Sequence, residues 1–260
     1  MNVYLAEFIG TAILIVLGNG AVANVLLNQT KAHGAGWIVI TAGWGFAVYV
    51  AVLCVGDISG PHINPAVTVA LAVANSFDWR QVPGYIAAQM IGGVCGAILV
   101  YAFYKLHYDA TEDADAKLAT FCTAPAIRSA GRSFLCETLA TFVLAYAVLL
   151  MSDPSFPFGD GQTDRQIQVG LGSIGAVRVG LIVFAIGLSL GGTTGYAINP
   201  ARDLGPRIAH YLLPIPGKRD SDWGYAWVPV VAPLIGAVLA VVVYQVFFPN
   251  FMFNVIPPAA

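Results

Sequence analysis

The tripeptide Asn-Pro-Ala occurs twice in this chain of 260 residues, at Asn64-Pro65-Ala66 and at Asn199-Pro200-Ala201. The surroundings correspond: SGPHINPAVTVALAV in the first half, TGYAINPARDLGPRIA in the second. Asn is a favoured helix N-cap, and Pro is tolerated at the first helical position, where the N–H it lacks has no partner. Each copy therefore predicts a loop turning into a helix, at Asn64 and at Asn199. The apolar stretch after each is roughly a dozen residues, short of the ~20 that cross a bilayer. Two short helices in matching places of two halves point to a pore or binding site at the repeat interface.

The rest of the chain is apolar enough to surround such a site with membrane. It is 58% hydrophobic and 10% charged, with mean hydropathy +0.74. Soluble domains carry about 25% charged residues, so this is an integral membrane protein. A net charge of −2 gives no sign of a nucleic-acid partner. Four scattered cysteines, without CxxC spacing, read as packing residues, and no metal or cofactor is expected. The first apolar run lacks a basic leader segment and contains Glu7, so it reads as a retained span. Six runs are long enough to cross: 3–27, 36–56, 81–106, 133–151, 177–192 (with a start nearer 167 as an alternative) and 225–248. Between them lie an acidic loop from Asp109 to Lys117 and a Pro- and Gly-rich loop from Asp153 to Asp164.

The halves are internal repeats: residues 1–108, a connecting loop 109–131, and 132–260. Ala6-Glu7-Phe8-Ile9-Gly10-Thr11 resembles Cys136-Glu137-Thr138-Leu139-Ala140-Thr141. Three spans per repeat is an odd number, so the second repeat enters from the opposite face and the short helices meet head to head near the midplane. Six spans put both termini on one side. Charge counting alone favours placing Lys31, Lys105, Lys117, Arg128, Lys218 and Arg219 in the cytoplasm, with the termini outside.

The paired motifs within six spans, with a Glu in the first span of each half, resemble the aquaporin superfamily over nearly the whole chain. Asp203 and Arg207 after the second motif, and Pro233-Leu234 in the last span, are similar to the glycerol-facilitator branch. The resemblance implies an all-α membrane fold: six spans and two re-entrant half-helices in a right-handed bundle around a pore. It also implies a homotetramer in the cell membrane with cytoplasmic termini. It places Trp44, Gly187, Tyr196 and Arg202 in a constriction. Gly187 stands where a water-selective channel has His, leaving room for a carbon backbone. Tyr196 stands where glycerol facilitators commonly have Phe.

The residues themselves suggest how such a pore would work. Each helix N-terminus carries about +0.5 charge. If Asn64 and Asn199 cap with their side-chain oxygens, their amide NH2 groups are donors to the lumen, and a water that accepts from both breaks a proton wire. Arg202 lies one turn into a short helix, and its fixed donors suit adjacent hydroxyls. Trp44 and Tyr196 would offer CH groups an apolar corner; an interfacial belt is the other reading for Trp44. The extended segments Gly60-Pro61-His62-Ile63 and Gly195-Tyr196-Ala197-Ile198 would line the pore with carbonyls. His62 is either an inner-mouth ligand or a packed histidine. A carboxylate in a span needs donors, so Glu7 and Glu137 are expected to accept the N–H groups of those segments; a proton relay is the alternative. Gly92, Gly93, Gly96, Gly236, Ala237 and Ala240 read as packing positions.

These readings converge on a passive channel for glycerol and other small uncharged solutes, with water also passing and ions excluded. It is not an enzyme, since no nucleophile–base pair is evident. The rivals are a water-selective pore and an inverted-repeat transporter.

Overall fold

The computed structural model describes residues 1–153, 155–158, 165–168 and 170–248. Among them, six helical spans are long and apolar enough to cross a bilayer: Val3–Leu26 (α1), Trp37–Ser59 (α2), Val82–Phe103 (α4), Ala130–Leu149 (α7), Gly172–Leu190 (a 3-10 turn running into Gly175–Leu190, α8) and Val228–Phe247 (α10). Two short helices, Pro65–Val73 (α3) and Pro200–Leu212 (α9), follow the Asn-Pro-Ala motifs, each with its Pro in the first turn. Local chemistry sets several ends. Asn2 caps α1 by accepting the Tyr4 N–H at 2.7 Å, and Gly60 closes α2 in the left-handed region, at φ 62°.

Three expectations need correction. The acidic segment 109–117 is not simply a loop: it belongs to two short helices, Lys105–Ala110 (α5) and Ala114–Ala119 (α6). Asp113 starts α6 by accepting the N–H groups of Asp115 and Ala116, a capping signal that the acidity of the run obscured. The fifth span does not reach back to 167, because Arg165–Gln168 (β2) pairs antiparallel with Ser155–Phe158 (β1). The expected Pro- and Gly-rich loop 153–164 lies partly outside the described residues. The last span begins at Val228, after a turn in which the Val228 N–H bonds to Tyr225 O.

Successive spans alternate in direction. The start of α1 and the end of α10 therefore lie at one face, here the terminal face, and the segments 27–36, 104–129 and 213–227 lie at the other, the distal face. The half-helices pack across the sequence halves: α3 against α10, and α9 against α4. Glycines permit that closeness. A Cβ on Gly93 of α4 would stand 2.7 Å from Ala201 O in α9, and one on Gly236 of α10 would stand 2.2 Å from Thr138 O in α7. Side chains any larger would push the helices apart.

The distal segments are tied together by their own cations. Lys218 Nζ donates to the carbonyl oxygens of His210, Tyr211 and Leu213 at 2.5–2.9 Å, closing the last turn of α9. Lys117 Nζ donates to Pro216 O at 2.5 Å, Arg128 pairs with Asp222 at 2.5 Å, and Arg219 pairs with Asp115. These charges serve the structure of the distal segments.

Candidate functional site

Both motifs fold the same way. Asn64 is extended, with φ −157° and ψ 117°, and its Oδ1 accepts the Ala66 N–H at 2.9 Å. Asn199, at φ −155° and ψ 109°, accepts from Ala201 at 2.9 Å and Arg202 at 3.2 Å. The amide nitrogens then cross between the repeats. Asn64 Nδ2 donates to Ile198 O at 2.9 Å, and Asn199 Nδ2 donates to Ile63 O at 2.8 Å. One hydrogen of each NH2 is thereby committed to locking the motifs together. The sequence reading had both facing the lumen; the geometry leaves one per Asn.

The residues ahead of each motif are strained. Ile63 has φ 44°, Ile198 φ 46° and Tyr196 φ 38°, all in the left-handed region that β-branched and bulky residues avoid. Such positions cost about 1–3 kcal/mol each and persist only where the surroundings over-determine them. The determinants are visible. Each Ile carbonyl is held by the opposite Asn, and each Ile N–H by a buried carboxylate. Ile63 and His62 donate to Glu7 at 2.7 and 3.0 Å, while Ala197 and Ile198 donate to Glu137 at 2.9 and 3.0 Å. Both Glu side chains are fully buried.

Glu7 has two further donors that the sequence analysis did not anticipate. Ser59 Oγ lies at 2.7 Å and Gln89 Nε2 at 2.7 Å. Gln89 Nε2 also reaches Thr68 Oγ1 at 3.0 Å, and Thr68 donates to Asn64 O. In the arrangement that satisfies all these bonds, His62 Nδ1 donates to Thr68 Oγ1 at 3.1 Å, which leaves His62 Nε2 as an acceptor. The only sequence signal for this cluster was the lone carboxylate itself, which had to find donors somewhere.

A cavity of about 100 Å³ runs past both motifs. Asn64, Asn199, Arg202, Tyr196, Trp44 and the segment Pro61-His62-Ile63 line it, together with Ala197 and Ile198. The remaining wall is aliphatic: Leu14, Val48, Val52, Val67, Leu144, Val148, Val179 and Val183. None of these eight was singled out in the sequence, because every face of the spans is apolar and nothing distinguishes lumen from lipid. Pro65, Ala66, Pro200 and Ala201 are buried beneath the lining, as the first turns of the half-helices. Gly60 and Gly195, expected in the lining, lie outside it, at φ 62° and 83°.

At the distal end, Arg202 is 6% exposed and its guanidinium carbon sits 4.2 Å over the centre of the Trp44 ring. A Cβ on Gly18 of α1 would lie 2.4 Å from Trp44 Cε3, so the indole is held between that glycine and Arg202. No described side chain or carbonyl accepts from the Arg202 guanidinium. Gly187 behaves differently from expectation. It is not part of the cavity lining, and the space its missing side chain vacates is taken by Tyr196, whose Cζ and hydroxyl would stand 2.9 and 3.0 Å from a Cβ there. Trp37 completes this seat, edge-on to Tyr196 at 5.9 Å and donating from Nε1 to Gly187 O at 2.9 Å. The Tyr196 hydroxyl is buried without a partner among the described residues, tucked against α8.

Asp203 and Arg207 point away from the cavity. They form an ion pair at 2.8 Å with both side chains fully buried. Asp203 Oδ2 also accepts from Thr123 N and Oγ1 at 2.7 and 2.6 Å. Arg207 donates to the carbonyls of Ser221, Asp222 and Thr123. The pair knots two distal segments to the half-helix that carries Arg202. Pro233 and Leu234 lie within α10, also outside the lining; Leu234 packs on the core beside α3. Among the described residues no group of His, Cys, Asp and Glu could hold a metal ion.

The sequence profile of the major intrinsic proteins matches residues 1–244. A probable glycerol uptake facilitator protein of Thermotoga maritima is 54% identical over 95% of this chain and 100% of its own length. The glycerol uptake facilitator protein of Streptococcus pneumoniae is 51% identical over the same shares, 95% and 100%. Among solved structures, the aquaglyceroporin of Plasmodium falciparum superposes with a TM-score of 0.78 at 32% identity, covering 95% of this chain and 96% of that one. With its two re-entrant half-helices joined head to head inside six membrane spans, this chain belongs to the major intrinsic protein family.

Proposed function

We propose that this protein is a passive channel for glycerol and other small uncharged solutes, with water also passing. The observation that carries the reading is the make-up of the cavity lining. It combines donors and acceptors at Arg202, Asn199, Asn64 and His62 with eight aliphatic side chains. A linear polyol presents hydroxyls along one edge and CH groups along the other, so it keeps its hydrogen bonds while its carbons stay out of water. The similarity to glycerol uptake facilitators supports the same solute. Trp44, Tyr196 and Arg202 form the narrow distal filter, and Gly187 contributes by seating the Tyr196 ring.

The same proposal includes two inverted repeats, 1–108 and 132–260, cytoplasmic termini, the cell membrane as location, and four copies with one pore each. Outward apolar side chains such as Phe46, Phe103 and Leu181, 59–82% exposed, are suited to lipid or a neighbouring copy. Counterflow of labelled glycerol in proteoliposomes tests the mechanism. A pore gives flux proportional to concentration, with no trans-acceleration. Saturation together with acceleration by unlabelled glycerol on the far side would establish a transporter instead.

A further inference from the structure

The pore wall carries positive charge from three sources. The N-termini of α3 and α9 meet at the cavity, each contributing about +0.5. Arg202 adds a full charge, and none of the ion pairs among the described residues engages it. Its neighbour Asp203 is neutralised by Arg207. The sum beside the lumen is about +2. Such a field repels cations, but it would also concentrate chloride and other small anions.

Two buried groups oppose it. Every described group that bonds the Glu7 or Glu137 carboxyl oxygens is a donor, which is the partner set of a carboxylate. Ser59 Oγ, His62 N, Ile63 N and Gln89 Nε2 all donate to Glu7, and Ala197 N and Ile198 N donate to Glu137. Neither carboxylate has a cation in ion-pair contact among the described residues. Each binds the far side of peptides whose residues line the cavity, so each charge sits one peptide behind the lumen. Their sum is −2.

We infer that Glu7 and Glu137 are charge counterweights that close the pore to anions, in addition to holding the loops. With them the lumen field is balanced, so a neutral solute sees local donors and acceptors but a small anion gains nothing to offset its lost hydration. The inference rests on the pore reading above. At an effective dielectric of about 20 and roughly 7 Å, losing one such charge corresponds to on the order of a 50-fold rise in anion permeability.

The test uses proteoliposomes of the full chain with an entrapped chloride-quenched dye, a potassium–valinomycin clamp, and glycerol reswelling on the same vesicles. Glu7→Gln removes charge at constant shape; Glu7→Asp keeps charge and alters shape. The expected result is a chloride influx at least 10-fold above wild type for Glu7→Gln and none for Glu7→Asp. Chloride influx at the wild-type level in a Glu7→Gln protein that still passes glycerol overturns the inference. Equal leaks in both variants overturn it too, since distortion would then be the cause. If Glu7→Gln does not fold, Arg202→Met serves. The same sum then leaves the lumen at −1, so sodium leak rises and chloride leak does not; the reverse pattern, or no leak of either ion, refutes the balance. A wild type without glycerol flux is a distinct outcome that overturns the pore reading and this inference with it.

Discussion

Adding one methyl group at Gly187 should narrow the filter by displacing Tyr196. A Cβ at this position lies 2.9 Å from Tyr196 Cζ, 3.0 Å from its hydroxyl and 2.9 Å from Thr41 Cγ2. Carbon atoms pack at about 3.5–4.0 Å, so the ring must yield by roughly 0.6–1 Å. Trp37 stands edge-on behind it, and Tyr196 Cδ1 is already 2.4 Å from where a Cβ on Gly191 would be, so the ring cannot retreat along α8. Its open side is the cavity. Overpacking of this kind costs about 1–3 kcal/mol. Placed on the transit barrier, that is on the order of 5- to 150-fold in glycerol permeability, at about 1.4 kcal/mol per factor of ten. Water, being smaller, should lose less. Stopped-flow reswelling of vesicles carrying Gly187→Ala, normalised to protein per vesicle, reads both rates. Combining it with Tyr196→Leu should restore glycerol flux, whereas combining it with Tyr196→Phe should not, because Cζ remains in contact. An unchanged glycerol rate in Gly187→Ala, or equal loss of water and glycerol, refutes the seating of Tyr196 against α8.

Other substitutions test the supporting structure. Tyr196→Phe removes a buried hydroxyl that has no partner among the described residues, so glycerol flux should be similar or higher and thermal stability should rise by about 1 kcal/mol in scanning calorimetry; a large fall in flux would make the hydroxyl a solute ligand. Asp203→Ala strands the buried Arg207 and should cost about 3–5 kcal/mol, seen as loss of folded protein on size-exclusion chromatography in detergent, while Asp203→Leu with Arg207→Met should recover much of it. Gly236→Ala forces a methyl to 2.2 Å from Thr138 O and should lower the melting temperature by several degrees; Gly20→Ala, inside α1 with nothing within 4 Å, should leave it unchanged or raise it slightly.

How much was legible depended on symmetry and on unmet valence. The two Asn-Pro-Ala copies specified two capped half-helices because Asn and Pro have so few other uses in apolar sequence. Glu7 and Glu137 announced their role because a carboxylate in a span must find donors, and backbone N–H groups facing away from a pore were the available ones. What stayed hidden came from three physical causes. Spans apolar on all sides carry no stripe, so Leu14, Val48, Val179 and Val183 could not be told from lipid-facing residues. Polar residues that serve another residue, such as Gln89, Ser59 and Thr123, have no pattern of their own. Gly187 was read as open space because a missing side chain does not reveal which neighbour fills it; Tyr196 does. The pairing of Asp203 with Arg207 follows from their i, i+4 spacing, but its place in tying down the distal segments does not.

The central claim is a pore that passes a polyol and water through one slit. Stopped-flow light scattering on one proteoliposome preparation, challenged in turn with glycerol and with sucrose, tests it most directly. The account predicts fast water efflux in both challenges, followed by fast reswelling with glycerol and none with sucrose, with the reswelling sharply reduced by Gly187→Ala. Fast water efflux with no glycerol reswelling would contradict it and make the protein a water channel, with Tyr196 closing the slit that Gly187 was expected to open.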